Sequence, residues 1–345
     1  MLRCTVLASG SKGNCTVVST GRTRILLDAG LSCREIVKRM RLAGENPEKM
    51  DGLLITHEHS DHIQGVSVLA RRWKVPVYFT EATHQAWARA LTPRRTMSFS
   101  AWLETRKQQA ATLALAAEAD DETPETQNLT EAALEMGEPD VLETDSCDAA
   151  EGLDIAASAD GLLEMAAPGA NGSGSNPASL PAVEYFCAGV PFVIGDITVT
   201  PFTIPHDAAD PVGFVVEAEG MRIAVATDLG YMPPNVQRQL QRADLLILES
   251  NHDVEMLRDG PYPWAVKQRV LSRVGHLSND AASEFLANEY DGTARWVVLA
   301  HLSESNNLPE LARLSAERAL RGRSNAAGGQ VVLATQNAPL ESIYL

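Results

Sequence analysis

The densest set of chemically active side chains in the chain occupies one stretch, Thr56-His57-Glu58-His59-Ser60-Asp61-His62. It follows the apolar run Leu53-Leu54-Ile55, which predicts a short buried strand. Imidazole and carboxylate groups together are typical metal ligands. On a helix, His57 and Asp61 would share one face while His59 pointed away. The spacing therefore predicts an irregular loop at a strand end that turns four ligands towards one point, rather than a solvated polar loop that contains three of the eight histidines by chance.

Three later residues have the same placement, because each follows an apolar run that predicts a strand. They are His206 after residues 197–204, Asp228 after residues 221–227, and His301 after residues 296–300. With the first four they make seven candidate ligands, whereas a structural zinc site needs four. We therefore predict two divalent metal ions bridged by Asp228, with zinc favoured and manganese or iron also compatible.

Two such ions, about 3.5–4 Å apart, would lower the pKa of a bridging water from about 15.7 to about 7. Hydroxide would then be the nucleophile at neutral pH. No Gly-x-Ser-x-Gly segment occurs that would suggest a serine nucleophile instead.

The elements that must position these residues alternate between strand and helix. Strands are predicted at residues 2–8, 15–19, 24–28, 51–55, 75–79, 191–194, 197–204, 213–219, 221–227, 244–248, 296–300 and 331–334. Helices are predicted after Ser32, along residues 66–73, and at 263–273, 279–288 and 309–320. This order predicts an α/β fold in which two sheets pack face to face between helices.

One segment carries the whole charge imbalance of the chain. Residues 108–183 contain sixteen Asp or Glu and no Lys or Arg, so the 29 acidic residues elsewhere equal the 29 Lys and Arg, and the net charge of −16 belongs to this segment. We predict a hydrolase domain formed by residues 1–93 and 184–345, and an acidic, Ala-rich, mobile insertion at 94–183. The simplest interpretation is a tolerated loop; a lid, an electrostatic gate or an arm that binds a protein partner are the alternatives. A short helix is expected at 130–136.

Composition narrows the cellular setting. No run of 18 apolar residues could span a membrane. The five cysteines are scattered and include no Cys-x-x-Cys pair, which argues against both a disulfide framework and a cysteine zinc site. We therefore expect a cytoplasmic protein without a membrane partner.

The pattern resembles the metallo-β-lactamase superfamily, whose motif is His-x-His-x-Asp-His with a later His, Asp and His. It is similar to the YycJ/WalJ group in particular, at residues 7–11, 206–214, 227–231, 249–253, 275–279 and 299–303. The resemblance covers residues 1–93 and 184–345, and it implies a four-layer αβ/βα metallo-β-lactamase sandwich with the acidic insertion as a departure.

By this resemblance the candidate ligands divide into two sets. One metal would bind His57, His59 and His206, the other Asp61, His62 and His301, and Asp228 would bridge them. The strand-end Asp28 would orient the ligand loop.

The group is regarded as DNA exonucleases that digest from the 5′ end in replication-associated repair. The resemblance therefore implies phosphodiester hydrolysis with DNA as the substrate. A small-molecule phosphodiesterase or thioester hydrolase uses the same ligands and remains the alternative. A non-catalytic protein that binds basic partners through its acidic arm is a further one.

Residues beyond the ligands have assignments that the sequence leaves open. His276 resembles the histidine that protonates the leaving oxygen in the transfer-RNA processing branch, so Asp28, Asp61 and His276 form the predicted catalytic set; alternatively His276 is satisfied by backbone at a helix start. His252 is expected to be structural or to orient substrate. Polar side chains of the first turn, Ser9, Ser11 and Asn14, are predicted to bind a substrate phosphate. Two basic groups, Arg71, Arg72 and Lys74 and then Lys267, Arg269 and Arg273, could contact DNA or be solvated helix faces.

Overall fold

The computed structural model describes residues 1–92, 103, 104, 106, 107, 178–321 and 329–345. The strands within these ranges are β1 Arg3–Ala8, β2 Cys15–Ser19, β3 Arg24–Leu27, β4 Gly52–Leu54, β5 Val77–Phe79, β6 Val183–Tyr185, β7 Phe192–Ile194, β8 Ile197–Thr203, β9 Val212–Ala218, β10 Met221–Ala226, β11 Leu245–Glu249, β12 Trp296–Ala300, β13 Gln330–Leu333 and β14 Ile343–Tyr344. The helices are α1 Cys33–Leu42, α2 Ser60–Ile63, α3 Val66–Trp73, α4 Glu81–Leu91, α5 Pro234–Leu240, α6 Val254–Asp259, α7 Trp264–Val270, α8 Asn279–Asn288 and α9 Pro309–Arg321.

The strands form two seven-stranded sheets with matching pairing patterns. The first has the order β14-β1-β2-β3-β4-β5-β6 and the second β13-β12-β11-β10-β9-β8-β7. In the first sheet β1, β2 and β3 pair antiparallel, and β3 to β6 pair parallel. In the second, β7 to β10 pair antiparallel and β10 to β13 parallel. Each half of the chain thus builds an antiparallel sheet that continues into parallel strands.

Alternation along the strands creates three apolar layers. In β11, Leu245 and Ile247 join the cluster between the two sheets, whereas Leu246 and Leu248 join the cluster that faces the helices α5, α8 and α9. A third cluster packs the first sheet against α1, α3 and α4, with Trp87 1% exposed. Because successive strand residues point to opposite faces, one apolar strand can supply two cores. The predicted four-layer sandwich is confirmed.

Local sequence explains the element boundaries near the centre. Ser32 begins α1, and its side chain accepts a hydrogen bond from the backbone N–H of Glu35. The helix predicted at 263–273 is shorter, because α7 ends at Val270, whose carbonyl accepts from the N–H of His276 as the chain turns back. Elements that the sequence did not indicate include the edge strands β6 and β14 and the helices α4, α5 and α6. The helix expected at 130–136 lies outside the described residues.

All elements described above belong to one compact unit, which is formed by Met1–Thr92 and Pro168–Leu345. Among the described helices, none is long and apolar enough to cross a membrane.

Candidate metal centre

The predicted ligands come from the ends of neighbouring strands in both sheets. Asp28 follows β3, residues 56–62 follow β4, Asp228 follows β10 and His301 follows β12. Parallel strands end at the same edge of their sheet, and the residues beyond them meet there. The two sheets bring these edges together, so side chains far apart in sequence lie in one place.

Three of the strand-end residues adopt the left-handed backbone conformation. The φ angles are 58° at Asp28, 60° at Asp228 and 56° at His301. This region is uncommon for residues other than glycine, although Asp and His enter it more readily than most. Such conformations persist only where the surrounding fold enforces them. The packed strands β3, β10 and β12 therefore fix the direction in which each side chain leaves the sheet.

The first ligand segment is less irregular than its spacing suggests. Residues 56–59 leave β4 as an extended loop, but Ser60–Ile63 forms one helical turn, α2. The N–H of His62 donates to the carbonyl of His59 at 2.9 Å. The turn places Asp61 and His62 one position apart on a helix, while His57 and His59 remain on the loop. Loop and turn together direct all four side chains inwards.

The structure brings all seven predicted ligands into overlapping groups whose ligand atoms lie within 4.8 Å of one another. The groups are His57, His59 and His206; His57, His62 and Asp228; Asp61, His62 and His301; and Asp228, Glu249, His276 and His301. The first and third correspond to the two predicted metal sets, and the second links them through Asp228. Glu249 was not among the predicted site residues.

Hydrogen bonds on the far side of the rings set which nitrogen faces the centre. Nδ1 donates from His62 to Asp28 (2.8 Å), from His206 to the carbonyl of Gly275 (3.2 Å) and from His301 to Glu249 (3.0 Å). A proton on Nδ1 leaves the lone pair on Nε2, the nitrogen available to a metal. His59 is reversed, since its Nδ1 lies 3.2 Å from Nε2 of His206.

Asp28 accepts hydrogen bonds from several groups of the segment that follows β4. Its Oδ1 accepts from the backbone N–H of Thr56 at 2.8 Å, and its Oδ2 accepts from the Thr56 hydroxyl at 2.9 Å as well as from His62. The Thr56 hydroxyl also lies 2.9 Å from Nδ1 of His57. Asp28 and Thr56 therefore orient two of the candidate ligands without facing the centre themselves.

Unpartnered buried atoms agree with metal binding. Nε2 of His57 and Oδ2 of Asp228 are among the described buried atoms without a hydrogen-bond partner, and Nε2 of His62 lies 3.4 Å from that oxygen. Leaving a buried polar atom unsatisfied costs about 1–3 kcal/mol. Both atoms belong to the groups above, and imidazole nitrogen and carboxylate oxygen are ligands of zinc and manganese. The residues present fit divalent ions.

The charges of the centre also agree with the binding of divalent metal ions. Burial raises the pKa of the Asp61 and Asp228 carboxyls, but attraction to His62 and His301 outweighs it, so each pKa lies well below its usual range. Burial lowers the pKa of His62, yet the surrounding carboxylates outweigh it and raise the pKa well above the usual value. The buried carboxylates require compensating positive charge, which divalent ions supply in exchange for imidazole protons.

Glu249, at the end of β11, connects the predicted proton donor to a ligand. Its side chain is fully buried, and Oε1 accepts from Nδ1 of His276 at 2.8 Å and from Nδ1 of His301 at 3.0 Å. Oε2 accepts from the N–H groups of Leu229 at 2.7 Å and Leu277 at 3.2 Å. Burial raises the pKa of Glu249, but the imidazole of His276 outweighs it and the pKa falls to about 2. A carboxylate here is ionised at neutral pH.

His276 and His252 occupy different surroundings. The side chain of His276 is 22% exposed, and its Nδ1 bond to Glu249 leaves Nε2 as the nitrogen that can face a substrate. His252 is 1% exposed, and burial lowers its pKa to about 4. The backbone of His252 forms an isolated bridge with Ser278. Access and contact with the cluster favour His276.

The turn between β1 and β2 forms hydrogen bonds to two of the candidate ligands. The Ser9 hydroxyl accepts from the N–H of His301 at 2.7 Å, and Nδ2 of Asn14 donates to Oδ2 of Asp61 at 3.2 Å. Ser9 and Asn14 are buried, whereas Ser11 is exposed. These contacts give Ser9 and Asn14 a positioning role. Substrate binding by Ser9, Ser11 and Asn14 stays a prediction.

Comparison with known proteins places this fold and centre in a family. A protein-family model described as "Metallo-beta-lactamase superfamily" matches residues 8–142 of the sequence. A second family model, described as "Beta-lactamase superfamily domain", matches residues 152–302. Among solved structures, the metallo-beta-lactamase fold protein YhfI from Bacillus subtilis superposes with a TM-score of 0.56 at 15% identity, covering 99% of this chain and 100% of that one. Zn²⁺-bound PqqB from Methylobacterium extorquens gives 0.52 at 15% identity, covering 98% and 99%. At these identities the structures show the shared fold alone.

Two curated relatives indicate a particular group within the superfamily. Exodeoxyribonuclease YycJ of Bacillus anthracis is 30% identical over 329 residues, 95% of this chain and 92% of the relative. Exodeoxyribonuclease WalJ of Streptococcus pneumoniae serotype 2 (strain D39) is 30% identical over 310 residues, 90% and 85%. The chain therefore belongs to the metallo-β-lactamase superfamily, within its YycJ/WalJ group. It is a hydrolase, and its fold implies divalent metal ions.

Proposed function

We propose that this protein is a dinuclear metal-dependent phosphodiester hydrolase that acts on DNA as an exonuclease from the 5′ end. The observation that carries the proposal is the pair of three-residue ligand groups linked by Asp228, because one metal alone would not need both. The names of the relatives support DNA as the substrate. Zinc is the favoured metal, and the proposal includes a cytoplasmic role in DNA repair.

When bound, two divalent ions would make a water molecule acidic enough to attack phosphorus as hydroxide near neutral pH, and would offset the phosphate charge. The chain's own residues supply the remaining steps. Asp28 holds His62 in one tautomer through Nδ1, and Glu249 does the same for His301. In each ring Nε2 is therefore the nitrogen that would release its proton and accept a metal.

His276 is the proposed proton donor. As the bond between phosphorus and the leaving oxygen breaks, Nε2 of His276 donates a proton to that oxygen. The ionised Glu249 lies 2.8 Å from Nδ1 and balances the charge of the protonated ring. The products are a phosphate monoester and a free hydroxyl.

End-labelled duplex DNA tests the proposal. Metal-depleted protein is reloaded with Zn²⁺ or Mn²⁺, and release of mononucleotides from 5′- and 3′-labelled strands is compared. Labelled mononucleotide released first from the 5′ label is the expected result. Asp228→Asn removes a ligand charge while keeping a residue that tolerates the left-handed backbone, and is expected to lower kcat by about 100-fold, the upper end of the loss seen when a metal ligand loses an outer partner. His84→Gln, on α4 outside the described metal groups, is the matched control.

Two outcomes would contradict the proposal. Inert DNA alongside hydrolysis of a small phosphodiester or a thioester would favour a small-molecule hydrolase. Intact nuclease activity in Asp228→Asn, with less metal bound, would mean that the metals are structural.

A further inference from the structure

A buried set of polar side chains lies between the end of β11, the start of α8 and the loop after β12. We call Ser250, Asn251, Asn279 and Asn307 the asparagine network, and their exposed fractions are 1% to 4%. None of the four belongs to the metal groups described above. Amide and hydroxyl groups are costly to bury unless hydrogen bonds replace those they make with water. Their partners therefore show what the network holds together.

Asn279 and Asn307 form a reciprocal amide pair. Nδ2 of Asn279 donates to Oδ1 of Asn307 at 2.9 Å, and Nδ2 of Asn307 donates to Oδ1 of Asn279 at 3.1 Å. The Ser250 hydroxyl donates to the same Asn279 oxygen at 2.6 Å. Nδ2 of Asn307 also lies 2.9 Å from the carbonyl oxygens of Ser250 and Asn251. Asn279 is the first residue of α8, so the pair joins the start of this helix to the residues that follow β11.

Asn251 connects the network to the candidate ligand His301. Its Nδ2 donates to the carbonyl oxygen of His301 at 2.8 Å, and its own carbonyl accepts from the N–H of Ser303 at 2.8 Å. His301 has the left-handed backbone conformation described above, so its carbonyl direction is not that of a regular strand. The network therefore holds the chain on the C-terminal side of this ligand.

The same residues hold the segment that carries His276. The N–H of Asn251 donates to the carbonyl of Leu277 at 2.8 Å, and the N–H of Asn279 donates to the carbonyl of His252 at 2.8 Å. The segment after His276 thus forms a short parallel pairing with the residues that follow β11. Because His276 comes immediately before this pairing, a displacement of the α8 start would move its ring.

His276 and His301 approach the same atom. Nδ1 of each ring donates to Oε1 of Glu249, and the ring centroids are 5.1 Å apart. One ring is the proposed proton donor and the other a candidate metal ligand. A proton donor acts only within hydrogen-bond distance of the leaving oxygen, and a misplacement of about 1 Å can lower a rate about 100-fold. Proton transfer from His276 therefore depends on a rigid connection between the segments that carry the two rings.

We propose that the asparagine network positions His276 against the metal centre, so that its Nε2 can protonate the leaving oxygen. Asn279 and Asn307 are positioning residues, because their amides act on His276 through the start of α8 and the residues after β11. The proposal rests on the proposed function, in which His276 is the proton donor. Loss of the amide pair should impair one step, protonation of the leaving oxygen, and spare metal binding.

Kinetics on two substrates that differ in their leaving group test the proposal. The leaving alkoxide of DNA must take up a proton, whereas the 4-nitrophenolate of bis(4-nitrophenyl) phosphate is a stable anion that leaves without one. Asn279→Ala is expected to lower kcat on duplex DNA about 10- to 100-fold, with KM for DNA and kcat on the small ester unchanged. Alanine suits the start of α8, where the Ser278 side chain still accepts from the N–H of Ala281. Asn307→Ala removes the other half of the pair and should have the same effect, which keeps the test available if one variant does not fold.

His276→Ala is the reference and Asn235→Ala the matched control. His276→Ala is expected to lose activity on DNA and to keep it on the small ester. Because Asn279 acts through His276, adding Asn279→Ala to His276→Ala should cause no further loss on DNA. Asn235 is likewise in the first turn of a helix, α5, and its Nδ2 donates to the carbonyl of Thr203 at 3.3 Å, so its replacement should change neither rate. The affinity of the network variants for Zn²⁺, titrated with a chelating dye, should match that of the wild type.

Three results would overturn the proposal and leave the proposed function standing. Equal losses on both substrates, or weaker zinc binding, would indicate that the network holds the metal centre itself. Wild-type kinetics in Asn279→Ala and Asn307→Ala would show that the backbone bonds alone position His276. A further loss on adding Asn279→Ala to His276→Ala would separate the network from the proton donor. If His276→Ala cleaves DNA as fast as the wild type, the proton donor of the proposed function is wrong, and this proposal fails with it.

Discussion

Replacing Glu249 by glutamine changes one oxygen to an amide nitrogen and should disable the centre without altering its size. Each carboxylate oxygen accepts two hydrogen bonds: Oε1 from the rings of His276 and His301, and Oε2 from two backbone N–H groups. A glutamine amide must present its NH₂ group to one of these pairs. Two buried donors then lose their acceptor.

The magnitude follows from this count. If the NH₂ group faces the two backbone N–H groups, each buried donor without an acceptor costs about 1–3 kcal/mol, so Glu249→Gln should lower the free energy of unfolding by about 2–6 kcal/mol. If the NH₂ group faces the rings, it opposes the N–H at Nδ1 of His301. The ring can avoid two facing donors by carrying its proton on Nε2 instead of Nδ1. Nε2 could then no longer bind a metal. Loss of an outer hydrogen-bond partner of a metal ligand typically costs 10–100-fold in metal affinity or activity, which we expect here.

Urea unfolding of metal-depleted and metal-loaded protein, together with kcat on bis(4-nitrophenyl) phosphate, measures both effects. Glu217→Gln is the control, since Glu217 is 45% exposed and pairs with Arg222 on the surface. It should change stability by less than about 1 kcal/mol. A Glu249→Gln protein as stable as the wild type, with the same kcat, would refute the role assigned to Glu249.

Three further predictions concern other parts of the chain. Asn14→Ala should weaken metal binding about 10–100-fold in a competition titration with a chelating dye, because Asp61 loses a donor; unchanged affinity would leave Asn14 without a positioning role. Burial raises the pKa of the Cys4 thiol to about 12, so at pH 8 mass spectrometry should find the exposed Cys187 alkylated and Cys4 unmodified, and rapid native labelling of Cys4 would contradict its buried position. Deleting residues 108–177, which carry all sixteen acidic residues of the segment 108–183 but spare β6, should lower KM for DNA at low salt only; equal KM at every salt concentration would make the segment a tolerated loop.

The sequence was sufficient for twelve of the fourteen described strands and for the strand-end positions of the candidate ligands. Apolar runs such as 245–248 predicted buried strands because both faces of these parallel strands are covered. The ligand types and their strand-end positions then predicted that the ligands lie together at one edge of the sandwich. Short edge strands such as β14, with two residues, carry too little pattern to be recognised.

The sequence could not predict how the side chains of the site are oriented. Glu249 ends an apolar run just before polar residues, as Asp228 does, and this parallel is the signal that could have identified it. Ring directions depend on long-range partners, such as Gly275 for His206, that no local pattern encodes. The assignment of Ser9 and Asn14 to substrate also lacked the contacts to His301 and Asp61 that the fold creates.

The left-handed conformations of Asp28, Asp228 and His301 have a consequence for metal loading. The two sheets enforce these conformations through packing that involves no metal, whereas a zinc finger obtains its fold from the ion itself. We therefore expect the backbone at these three positions to keep its conformation without an ion. A chelator should then strip the ions from a protein that stays folded and can be charged again with a different metal.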